Sequence, residues 1–126
     1  MPSDAEARAI LGRVRKPVPR TVFLLMYACG LRISEAATLE VTAVDGANGL
    51  VRVVGKGNKE RRVPLPQPVL DELRRLWKMH RHPRWLCPHR SHDGPISRDA
   101  LWCTFRAAAR EAGITKRLTP HSLRHG

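Results

Sequence analysis

Hydrophobic positions change their spacing twice along this chain, dividing it into helices, a small sheet and helices again. Ala7, Ile10, Leu11 and Val14 recur at helical intervals behind a Ser3-Asp4 start signal, predicting a helix over 4–14. Pro17 and Pro19 interrupt that pattern. Residues 20–29 are almost wholly apolar and stop at Gly30, as a buried helix with a glycine terminus would. A short helix over 34–39 follows, with Ser34 as its cap and Glu35 in its first turn.

The period then shortens. Residues 41–44, 50–54 and 61–65 read as strands. They are separated by Asp45-Gly46-Ala47-Asn48-Gly49 and Gly55-Lys56-Gly57-Asn58, both turn signals. Pro64, Pro66 and Pro68 mark the end of this sheet. Helical spacing returns over 69–80, where Val69, Leu70, Leu73, Leu76 and Trp77 share a stripe. Residues 81–95 are irregular and rich in His, Pro and Arg. Ser97 caps a helix that ends before Gly113, its buried face given by Leu101, Phe105, Ala108, Ala109 and Ala112. Thr119 and Pro120 open a last helix as cap and first residue. The class is α+β: mostly helical with a small antiparallel three-stranded sheet, in one domain over 1–126.

Charge adds a partner to this outline. Lys and Arg number 23 against 11 Asp and Glu, a formal net charge of +12. So basic a chain points to a polyanion, most simply nucleic acid, although charge alone does not separate DNA from RNA, a membrane surface or no partner. The longest apolar run, residues 22–29, falls far short of the ~20 residues of a bilayer helix. No secretory signal opens the chain, and three widely spaced cysteines fit reduced thiols in a cytoplasm.

Three segments carry candidate chemistry. His121 and Arg124 lie three apart in the first turn of the last helix, where free amides favour an anion. Arg offers paired donors to phosphate oxygens, and His moves protons near neutral pH. Taken alone, this pair also fits an ordinary helix surface. In Gly30-Leu31-Arg32-Ile33-Ser34-Glu35, Arg32 stands between a helix stop and a helix start, with Glu35 placed to hold its guanidinium. An ordinary surface ion pair would look the same. In Gly55-Lys56-Gly57-Asn58-Lys59-Glu60-Arg61-Arg62 two glycines present Lys56 at a hairpin tip, although basic tips are often merely solvated.

Together, in this order, the segments resemble the tyrosine recombinases of the phage-integrase type. Gly-Leu-Arg-Ile-Ser-Glu is similar to that family's first arginine box. Gly-Lys-Gly-Asn-Lys-Glu-Arg-Arg-Val-Pro-Leu is similar to its catalytic-lysine hairpin, and Leu-Thr-Pro-His-Ser-Leu-Arg-His to its His-x-x-Arg box. Arg32 and Lys56 are 24 residues apart, and Lys56 and His121 are 65 apart, intervals that also fit. The resemblance implies that Arg32 and Arg124 clamp the scissile phosphate and stabilise its pentavalent transition state. It implies that Lys56 protonates the leaving 5′ oxygen, that His121 assists proton transfer, and that Glu35 and His125 support the site. Lys59, Arg61 and Arg62 are candidate DNA contacts. The family's nucleophile is a tyrosine that forms a 3′-phosphotyrosine link, so no metal or other cofactor is required. Double-stranded DNA is the implied partner, with the whole protein a homo-oligomer on it.

The sequence departs from the family in two places. The second histidine or tryptophan and the tyrosine nucleophile lie beyond the His-x-x-Arg box, and the 126 residues end at Gly126. The family's N-terminal DNA-clamping domain is absent from them as well. The one tyrosine, Tyr27, falls in the apolar segment and reads as a core residue. The expectation is a partial catalytic domain that does not break DNA by itself, or else a non-catalytic DNA-binding remnant. A further alternative is zinc, held among His80, His82, Cys87, His89, His92 and Cys103, although their spacing fits no closed four-ligand pattern. Trp85 and Trp102 are candidates to stack on bases.

Overall fold

A computed structural model describes residues 3–123. Helix α1 (Asp4–Arg13) starts at a capping box: Ser3 Oγ accepts the Glu6 amide and Glu6 accepts the Ser3 amide. Helix α2 (Pro17–Cys29) begins three residues earlier than the apolar run. Pro17 and Pro19 mark the break after α1, as expected, and they also open α2, because the first turn's amides have no helical acceptor and a proline loses nothing there. Gly30, at φ 69°, ends the helix.

Helix α3 (Ile33–Ala37) has its cap two residues earlier than the sequence signal suggests. Ser34 lies inside it, and Arg32 is the N-cap, its own amide accepted by the carboxylate of Glu35. The expected first strand is mostly absent. Val41–Ala43 forms a 3-10 turn, and β1 is reduced to Val44–Asp45. The chain there is pinned from the other side: Val41 donates to the Arg84 carbonyl and Leu86 to the Leu39 carbonyl. Strands β2 (Leu50–Val54) and β3 (Glu60–Pro64) complete an antiparallel sheet in the order β1-β2-β3.

Helix α4 (Gln67–His80) buries Val69, Leu70, Leu73 and Leu76 of the stripe its sequence spacing predicts, and leaves the fifth member, Trp77, half-buried. Helix α5 (Arg98–Glu111) is capped by Ser97, whose hydroxyl accepts the Ala100 amide, and buries Leu101, Phe105 and Ala108. The final helix expected after Thr119 is, within the described residues, a 3-10 turn over Pro120–Leu123.

One core joins these elements. Helix α2 packs against α1, α3, α4 and the Pro120–Leu123 turn, and α1 also lies on α5. Ile10, Phe23, Leu25, Met26, Leu31, Leu73, Leu86, Leu101, Phe105 and Leu123 are almost fully buried. Helix α2 is thus the central post, with the arginine box at its end and the histidine turn against its side. Among the described residues no helix is long and apolar enough to cross a membrane.

Candidate active site

Between α2 and α3 the chain alternates in and out. Leu31 and Ile33 are buried, which turns Arg32 between them to the surface. Glu35, one turn into α3, reaches back so that its Oε1 accepts the Arg32 amide at 2.8 Å. Its carboxylate also takes both prongs of Arg61: Nη1 donates to Oε2 at 2.7 Å and Nη2 to Oε1 at 2.9 Å. The expectation that Glu35 holds the guanidinium of Arg32 is therefore corrected. It holds the backbone of Arg32, and the guanidinium it holds belongs to Arg61. With a side chain only 6% exposed, Glu35 stays charged because of these bonds. Arg61's hydrogen bonds pull its carboxyl below the ordinary range and outweigh the burial that opposes them.

Arg61 reaches Glu35 because of the sheet's two-residue period. It pairs with Val53 across the ladder, as Val63 pairs with Val51, and Val51 and Val53 are buried. Arg61 therefore stands on the inner face, at the end of the sheet nearest α3. Glu60 and Arg62 fall on the outer face, with Arg52 and the exposed Val54 as their partners.

The β2–β3 connection closes with Gly55 donating to the Lys59 carbonyl at 2.9 Å. Gly57 (φ 75°) and Asn58 (φ 59°) take left-handed backbone at the tip. At Gly55 the constraint is room rather than dihedral freedom. A Cβ there would lie 3.2 Å from Glu35 Oε2 and 3.3 Å from Arg61 Nη1. Lys56 follows directly, exposed. The structure thus gathers Arg32, Glu35, Arg61 and the base of the Lys56 hairpin. Lys59 and Arg62 are exposed on the same ribbon.

A residue the sequence reading missed is Arg52. It lies directly opposite Arg62 on the outer face, with Glu60 at 3.7 Å as its acidic neighbour. Two like charges facing each other across a ladder destabilise it unless an anion intervenes. The signal was present in the sequence, since counting back from the turn pairs 52 with 62.

His121 sits exposed between buried Pro120 and Leu123 on a turn packed against α2 and α5. Ser122 Oγ accepts the Thr119 amide at 3.1 Å, the reverse of the expected threonine cap. No hydrogen bond among the described residues links His121 to Arg32 or Lys56. Arg124 and His125 lie outside the described residues.

The histidine-rich stretch is otherwise occupied. His80 Nδ1 accepts the His82 amide at 2.9 Å while Nε2 meets the Leu86 carbonyl at 2.9 Å. His82 Nδ1 accepts the amides of Arg84 and Trp85. These rings stitch a loop, and among the described residues no three His, Cys, Asp or Glu gather as a metal ion requires. Cys87 is fully buried, with its thiol pushed up to about 12 by burial. Trp85 and Trp102 each lie under an arginine, Arg84 at 4.4 Å and Arg106 at 5.8 Å. Tyr27 is half-buried on α2, its hydroxyl bonded to Asp4 and approached by Arg8 of α1.

The arrangement is that of a tyrosine-recombinase catalytic core. The XerA recombinase superposes over 98% of this chain with a TM-score of 0.83 at 20% identity, using 46% of its own length. The lambda integrase catalytic core superposes over 97% with a TM-score of 0.77 at 15% identity, using 77% of its own. Residues 5–126 match the Phage integrase family, and the chain belongs to it. A putative integrase/recombinase, y4qK of Sinorhizobium fredii, is 40% identical over 124 residues, covering 98% of this chain and 40% of that protein. Tyrosine recombinase XerD of Staphylococcus saprophyticus is 42% identical over 113 residues, covering 84% of this chain and 38% of its own. The chain spans less than half the length of these curated relatives.

Proposed function

We propose that this chain is the DNA-binding, phosphate-activating part of a site-specific tyrosine recombinase. In this reading Arg32, with Arg124, holds the non-bridging oxygens of the scissile phosphate and stabilises the charge that develops on them. Lys56 delivers a proton to the leaving 5′ oxygen, and His121 serves the nucleophile's side. Lys59, Arg62 and Arg52 contact flanking phosphates. The bond energy of the broken phosphodiester is kept in a phosphotyrosine link, so no external energy source enters. The partner is double-stranded DNA, bound by several copies in the whole protein; the related XerH recombinase was solved on its difH substrate.

The observation that carries the reading is the meeting of two motifs distant in sequence. The carboxylate that seats the arginine box is the one that holds the base of the lysine hairpin.

The 126 residues themselves bind DNA without breaking it. Their one tyrosine, Tyr27, has its hydroxyl engaged by α1 in the α1–α2 packing. Titrating the chain onto a labelled duplex at rising salt tests the first half, and a denaturing gel of the same mixtures tests the second. Affinity is expected to fall steeply with salt, the mark of phosphate contacts, and no protein–DNA adduct is expected to survive denaturation. Salt-independent or undetectable binding defeats the DNA reading. An adduct defeats the claim of inactivity.

A further inference from the structure

We propose that Arg61 is a positioning residue that locks the Lys56 hairpin to the Arg32 box through Glu35, rather than a contact to DNA phosphate. The proposal rests on the functional reading above only for what the locked groups do; the lock itself stands on the geometry.

Four observations lead to it. First, the ladder register puts Arg61 in phase with Val51, Val53 and Val63, on the face turned towards the core, whereas Arg62 is in phase with Arg52 on the outer face. Adjacent arginines therefore point to opposite sides and do different work. Second, the guanidinium of Arg61 is bound in a two-pronged arrangement at 2.7 and 2.9 Å, geometry that a lysine cannot reproduce. Third, the acceptor is nearly buried, at 6% side-chain exposure, while Arg61 is 41% exposed. The carboxylate depends on Arg61 for its charge balance more than Arg61 depends on it. Fourth, Glu35 also accepts the Arg32 amide, and Gly55 lies against both members of the pair.

Taken together, a single carboxylate fixes three things: the backbone from which Arg32 projects, the side chain of Arg61, and the close approach of Gly55. Lys56 is bonded to Gly55. Loosening Arg61 therefore frees the lysine from the arginine without touching either. A donor already committed inside the protein adds little to phosphate binding, because counterion release counts charges brought to the phosphates.

The test uses the 126-residue chain and the variants Arg61→Gln, Arg61→Lys and Arg62→Gln, with two readouts. The first is hydrogen exchange of the Arg32 amide without DNA. Arg61→Gln is expected to speed it roughly tenfold or more, the scale of one lost charge-assisted bond, while α2 core amides stay protected. Arg62→Gln leaves it unchanged, and Arg61→Lys, which keeps the charge but not the fork, falls between. The second readout is the salt dependence of binding to a duplex. Arg62→Gln should reduce the log–log slope by about 1, and Arg61→Gln should leave it as it was.

Unchanged Arg32 exchange in Arg61→Gln overturns the lock, as does a loss of slope equal to that of Arg62→Gln. If the unmodified chain shows no salt-dependent DNA binding, the functional reading fails, and the exchange experiment still decides the lock. Should Arg61→Gln not fold, Arg61→Lys carries both readouts, and exchange equal to that of the unmodified chain then overturns the proposal.

Discussion

Phe23 of α2 meets Phe105 of α5 edge to face, with ring centroids 5.7 Å apart and planes at 70°. Both are buried to within 1%. The contact joins the central helix to the helix that supports the histidine turn. Truncating either ring to alanine is expected to cost about 3–5 kcal/mol, part transfer and part cavity. A double-mutant cycle should show roughly 1 kcal/mol of coupling between them beyond burial. Urea unfolding measures both, and a cost below about 1 kcal/mol for either single change would contradict the packing described.

Glu35 makes the site sensitive to acid. An ordinary glutamate titrates near 4.5, and Arg61 together with the Arg32 amide holds this one lower in the fold. A carboxyl depressed in the folded state stabilises it fully above the unfolded value, and that stability is lost as pH falls through the folded value. At pH 7, Glu35→Gln should cost roughly 1–3 kcal/mol. The gap between the variant and the original should close as pH falls below 4.5. A gap that stays constant across that range would show that the charge of Glu35 does not hold the hairpin.

Two glycines of the lysine hairpin should respond differently to alanine. At Gly57 the space is open but φ is 75°, so the cost is backbone strain at the tip, about 1 kcal/mol. At Gly55 the backbone is extended and the added methyl meets the Glu35–Arg61 pair. Gly55→Ala should therefore disturb the Arg32 amide in an NMR spectrum, and Gly57→Ala should not. Equal perturbation of that amide by both would mean the hairpin moves as one body.

His80 gives a second pH effect, in a different window. Its Nδ1 accepts an amide, so the proton of the neutral ring is on Nε2, facing the Leu86 carbonyl. Burial is the main cause holding its pKa below the ordinary 6.5; the Leu86 bond opposes this, and His82 and His92 add to it. A histidine depressed in the fold contributes stability above the unfolded value and loses it as pH falls through the folded one. Melting temperatures measured from pH 7.5 downward should fall more for the original chain than for His80→Gln. Parallel curves would remove His80 from the account.

Much of this was readable beforehand because it depends on short-range rules. The stripes of α4 and α5, the Ser97 cap and the Gly30 stop follow from spacing and local chemistry. So does the lysine hairpin. Most of what failed was decided at a distance, the Ser34 cap being a local exception. Residues 41–43 have strand composition, yet Arg84 and Leu86 draw them into a 3-10 turn from the far side of α4. Ser34 has the chemistry of a cap, but Glu35 does the capping. Arg61 and Arg62 are indistinguishable as letters, and only the ladder register separates them. The partner of Glu35 was legible as a basic residue and illegible as a position 26 residues away.

The pairing of α1 with α5 sets an order of events during synthesis. Helix α1 can form early, with its capping box complete within Ser3–Glu6. Yet the surface on which it mainly lies is α5, and the nearby ion pairs are also long-range: Arg15, just after α1, meets Glu111 at the end of α5, 96 positions on, and Glu6 of α1 meets Lys116, 110 positions on and just beyond α5. Residues through α5 must leave the ribosome before α1 finds its seat. Until then Ala7 and Ile10 have only α2 to shelter them. Helix, hairpin and arginine box can assemble as they emerge, while α1 and α5 close last, at the entropic cost of a loop that contains everything between them.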